Sequence, residues 1–156
     1  MPKAGAEEFH RETAKKCFNA VWDYLEKPKR NANDEQVMLN LAHAGQYHWS
    51  FVGTERNLAI SDWQVSRVYA ALNEPRLALQ FARSALDRME KNNLTDILST
   101  GYEAMARAHA VGKEFEAARE YIKRAREQLK KSKLDDEDRK IYLGQIEDTA
   151  QLMADS

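Results

Sequence analysis

Cysteine occurs once in the 156 residues, proline three times and glycine six times. One thiol, Cys17, excludes an internal disulfide and any cysteine-built zinc cage, and it suits a reducing compartment. So little proline and glycine leaves few places where a helix must break. An excess of either charge is missing too, with 24 Lys and Arg against 25 Asp and Glu. That balance argues against a non-specific binder of nucleic acid or of an anionic membrane, both of which need a basic surplus. No run approaches the ~18 apolar residues of a membrane span. Behind Met1-Pro2-Lys3-Ala4-Gly5 there is no apolar stretch of the kind a secretory leader carries. The expectation is a cytoplasmic protein with neither a membrane nor a nucleic-acid partner.

What is present is abundant Ala, Leu, Glu, Lys and Arg, the strong helix formers, at 43% hydrophobic overall. No alternation of β-branched or aromatic residues reads as a strand. The chain is therefore all-α, and its apolar spacing predicts seven helices. The first runs from Glu7 to Glu26, with Phe9, Ala14, Cys17, Phe18, Val21 and Leu25 on one face and Pro28 beyond its end. Asn33 or Asp34 caps a second over Glu35 to Ser50, and Thr54, after the Gly53 turn, caps a third over Glu55 to Leu72. Asn73-Glu74-Pro75 is a tight link, since Asn tolerates the left-handed conformation and Pro fits the first turn of a fourth helix ending near Glu90. Leu94 and Thr95 read as staple and cap for a fifth, which Gly112 stops. A sixth spans Glu114 to Lys131. Leu134 and Asp135 repeat the staple and cap before a seventh, Asp136 to Met153.

An internal repeat distinguishes an open stack from a closed bundle. Arg67/Arg107, Ala70/Ala110, Glu74/Glu114, Ala78/Ala118, Ala85/Ala125, Leu94/Leu134 and Asp96/Asp136 all recur at a spacing of 40. Small residues thus return where paired helices must approach closely. Ser66, Tyr69, Ala78, Ala82 and Ala85 form one unit, and Tyr102, Ala106, His109, Ala118, Ile122 and Ala125 the next. In these residues the chain resembles a tetratricopeptide repeat, with His109 at an aromatic position. Met38, Ala42 and Gly45 form a weaker third copy. The stretch 42–72, from Ala42-His43-Ala44-Gly45-Gln46-Tyr47-His48-Trp49 onward, is also similar to a group of short bacterial helical proteins without an assigned activity. The resemblance implies one domain over 1–156, a tetratricopeptide-repeat-like stack of antiparallel helix pairs. Residues 1–33 are a divergent first helix and connector, 35–131 the helix pairs, and 135–154 a closing helix.

Motifs that carry chemistry are sparse. Glu7-x-x-His10 has the spacing of half a di-iron site, but no other histidine has an acid three residues before it. His43 and His48 stand about 140° apart around a helix, so they do not converge on one metal. Neither a nucleophile elbow nor a phosphate-cradling glycine loop is present. No catalytic residue, metal or cofactor is expected. His43, Tyr47, His48 and Trp49, with Trp63 nearby, form an aromatic concentration that reads as core and rim, or alternatively as a small-molecule or metal-binding pocket.

The resemblance points to a non-catalytic module that holds a protein or peptide in a concave groove. It places the ligand-facing positions one and five residues after Asp62 and Tyr102, which gives Trp63 and Arg67, then Glu103 and Arg107. Two arginines suit an acidic partner because each guanidinium is a rigid fork of donors. The bland alternative pairs Arg67 with Asp62 or Glu103. Phe18, Trp22 and Leu25 exceed what one helix face needs, which leaves room for a homodimer.

Overall fold

The structure, a computed structural model, describes residues 4–154. The opening Met1-Pro2-Lys3 and the last two residues lie outside them. The described residues form seven helices and no strand: α1 (Ala4–Leu25), α2 (Ala32–Val52), α3 (Glu55–Ala71), α4 (Pro75–Lys91), α5 (Leu98–Val111), α6 (Phe115–Lys131) and α7 (Asp136–Ala154). None is long and apolar enough to cross a membrane.

Consecutive helices pack as α1/α2, α3/α4 and α5/α6 hairpins. In α3/α4 the register falls along one helix as it rises along the other: Glu55 meets Arg88, Asp62 meets Ser84, and Ser66 Oγ donates to the Ala78 carbonyl at 2.7 Å. Only antiparallel helices give that order. The first helix of each hairpin lies beside the next, and here the 40-residue repeat becomes literal. Arg56 forks onto Asp96 at 3.0 and 2.7 Å, and Trp63 lies within 3.4 Å of Glu103. The result is an all-α stack of antiparallel helix pairs.

The recurring alanines do the expected packing. Ala78 and Ala118 are fully buried, the latter clustered with Ala106 and Ala110 of α5. Tyr69 stacks on Phe81 of α4 and His109 on Tyr121 of α6, each with ring centroids 5.7 Å apart. α7 buries Ile146, Thr149 and Met153 against α5 and α6. Phe18 and Trp22, which looked surplus to α1, pack on the α3 and α5 core, and Leu25 packs on the α2 side.

Helix ends follow the caps, with two differences. Thr54 and Asn57 form a capping box, Pro75 opens α4, and Asp135 caps α7 by accepting from the Asp138 amide at 2.8 Å. α2, however, begins at Ala32, because Asn31 is its cap and Asp34 the return partner of the box. Thr95 does not cap α5. Burial of Ile97 draws Leu94 to Ile97 into a turn, and the Thr95 carbonyl accepts from Ser132. α5 ends at Val111 with Gly112 as its cap, as expected, and the left-handed residue that follows is Lys113 (φ 61), 40 positions after Asn73 (φ 58). Gly53 serves by its missing side chain, since a Cβ there would lie 2.7 Å from the Trp49 carbonyl.

Candidate functional site

Trp63 and Arg67 on α3 and Glu103 and Arg107 on α5 do come together, but around a buried carboxylate rather than on an open face. Glu103 is 1% exposed and Trp63 7%. The side chains of Arg107 and Arg67 are 14% and 17% exposed. Glu103 accepts from Arg107 Nε at 3.0 Å, from Thr149 Oγ1 at 2.7 Å and from Trp63 Nε1 at 3.4 Å. A buried carboxylate is tolerated only with partners of this kind. Of the two candidates for Arg67, Glu103 is the neighbour, at 3.8 Å. Asp62 instead serves Gln46, Ser84 and Arg88.

That leaves two guanidiniums on one carboxylate. Arg67 Nη1 and Arg107 Nη2 are buried and lack a hydrogen-bond partner among the described residues. The Arg67 guanidinium lies 5.4 Å from the ring of Trp22 and 5.9 Å from that of Trp63. Burial first, and the charge of Arg107 second, lower its pKa to about 10 against the pull of Glu103 and Asp148. It remains a cation at neutral pH, held where a further anion would be favourable.

One turn away, α1 and α7 flank a cavity of about 200 Å³. Phe18 and Trp22 come from α1, Ile60 and Trp63 from α3, and Tyr142 and Gln145 from α7. No Cα of α1 comes within 8 Å of one in α7, so the two helices form separate walls. Gln145 Oε1 is buried without a hydrogen-bond partner among the described residues. Sequence reasoning missed Trp22, Gln145 and Thr149 as members of this site. The signal was present in α7, where Tyr142, Gln145, Ile146, Thr149 and Met153 lie on one stripe. Two polar residues on an otherwise apolar stripe point to inward partners.

The aromatic concentration of α2 divides into three places. His43 faces α3 and α4, with Nε2 2.8 Å from the Tyr69 hydroxyl and its ring against Phe81. Trp49 lines a separate cavity of about 230 Å³ with Phe18, Asn57 and Ile60. Tyr47 and His48 stand at the outer edge beside Phe9, His10 and Phe51. These four therefore do not wall one pocket. Burial raises the pKa of the Cys17 thiol, which disfavours the reactive thiolate. Among the described residues no group of three or more His, Cys, Asp or Glu converges as a metal site. Compared with protein-family models, curated proteins and solved structures, the chain matches none.

Proposed function

We propose that the chain is a non-catalytic interaction module of the tetratricopeptide-repeat kind, which holds an acidic peptide or protein segment in the groove between α1 and α7. The observation that carries this reading is Arg67: a buried cation on two tryptophans, only partly neutralised by Glu103 at 3.8 Å, with no hydrogen-bond partner for Nη1 among the described residues. A carboxylate would complete that fork. The Trp22 and Trp63 walls give an apolar neighbour for the side chain beside it. Both oxygens of Glu103 already accept hydrogen bonds, so this carboxylate anchors the arginines rather than serving as a base. A cytoplasmic location accompanies the reading, on the strength of one unpaired cysteine and balanced charge.

The test is a peptide-display selection followed by affinity measurement through the fluorescence of Trp22 and Trp63. Selected peptides should be enriched in Asp or Glu next to a large apolar residue, and their binding should weaken with salt. Arg67→Gln should weaken binding at least tenfold while the helical circular-dichroism spectrum is unchanged. Peptides without acidic enrichment, or affinity indifferent to Arg67→Gln, would sink the reading.

A further inference from the structure

The edge where α1 begins and α2 ends takes no part in the groove. There the Nδ1 atoms of His10 and His48 face each other at 2.9 Å, from residues 38 positions apart on neighbouring helices. We propose that these two histidines form a binding clip for a divalent transition-metal ion, with copper(II) and nickel(II) ahead of zinc(II), through their Nδ1 atoms.

Two imidazole nitrogens at that distance make a hydrogen bond only when one ring carries its proton on Nδ1 and the other on Nε2. With both protons on Nε2 the two lone pairs face each other almost head-on, ring centroids 5.1 Å apart, and an in-plane tilt of each ring turns both towards one metal. A metal bonded to both at about 2.0–2.1 Å would see them at roughly 90° across the present separation. That is the cis angle of tetragonal and octahedral complexes and is narrower than a tetrahedral angle, so the geometry favours copper or nickel over zinc. The intrinsic affinity order of nitrogen sites runs the same way.

The rings are held in place by their neighbours. His10 lies flat on Phe51, with centroids 4.3 Å apart and planes at 10°. Phe9 and Tyr47 stand edge-on to His48 at 5.9 and 5.6 Å. Behind them Gly45 seats against Ala14 and Cys17, which brings the two helices close. The site is also open, because Phe9 and Tyr47 are each 61% exposed and Phe51 is 47% exposed. Water can reach the metal and fill the positions that no third protein ligand takes. Two protein ligands with open positions describe a modest, exchangeable site, one able to take a further donor from a ligand or partner. The second ligand comes from the adjoining helix, a pairing that spacing along one helix does not reveal.

Tag-free protein titrated with copper(II), nickel(II) and zinc(II) chlorides by calorimetry, in a buffer that does not chelate, tests the proposal. One equivalent should bind, most tightly for copper and least for zinc, and more weakly as pH falls because protons compete for the same lone pairs. Copper(II) should broaden the imidazole resonances of His10 and His48 before those of His43 and His109. His10→Gln and His48→Gln should each weaken binding at least tenfold, and His109→Gln should not. Absence of binding to wild type, or binding that survives both clip substitutions, overturns the proposal. Because the two rings come from different helices, a folding defect in one variant still leaves the other, and the resonance assignment in wild type needs neither.

Discussion

Glu103 is the residue on which three helices depend. Its carboxylate joins Arg67 and Trp63 of α3, Arg107 of its own helix and Thr149 of α7. Removing it would leave two largely buried guanidiniums repelling one another, with only Asp148 still drawing on Arg67. Glu103→Ala should therefore destabilise the fold by about 3–5 kcal/mol, while Thr149→Val, which removes a single donor, should cost about 1–2 kcal/mol. Urea denaturation of the two variants measures both, and equal small losses would show the carboxylate to be solvated. The sequence offered Trp63, Arg67, Glu103 and Arg107 as ligand-facing positions, and the 40-residue repeat, which aligns α3 with α5, brings the four together. It did not show that Glu103 faces inward. A glutamate inside a helix defaults to solvent, and its burial is tied to Thr149 on α7, which lies outside the repeat.

At the scale of elements, helix type and number were legible because the apolar spacing is regular and strand patterns are absent. Helix ends were legible where a side chain acts locally, as with Thr54, Pro75 and Asp135. They were not where packing overrides local chemistry: Ile97, 2% exposed, converts the expected cap at Thr95 into a turn. α5 stops at the expected Gly112, yet the left-handed step falls on Lys113 beside it. Gly144 in α7 is another position without a local need for glycine. A Cβ there meets nothing within 4 Å, so Gly144→Ala should gain helix propensity with no packing cost. The expected stabilisation is about 0.5–1 kcal/mol, read as a rise in thermal midpoint. A fall instead would mean that α7 has a close neighbour on that face.

For the molecule as a whole, the stack makes stability depend on position. In such arrays each unit is held chiefly by its immediate neighbours, so end elements open more easily than central ones. α3 to α6 are flanked on both sides, whereas α7 rests on α5 and α6 alone, and α1 rests mainly on α2. The two groove walls are thus the two least supported helices, joined to the centre through Trp22 on Trp63 at 5.8 Å and Thr149 on Glu103 at 2.7 Å. Hydrogen exchange should accordingly be fastest in α1 and α7 and slowest in α3 and α5. The proposed peptide, held between Trp22 and Gln145, would bind only when both walls are in place, so it should raise protection in α1 and α7 more than in α4. Uniform exchange with and without ligand would show one cooperative unit, with a groove whose width does not respond to its occupant. Graded exchange that the peptide evens out would show that the walls close on what they hold.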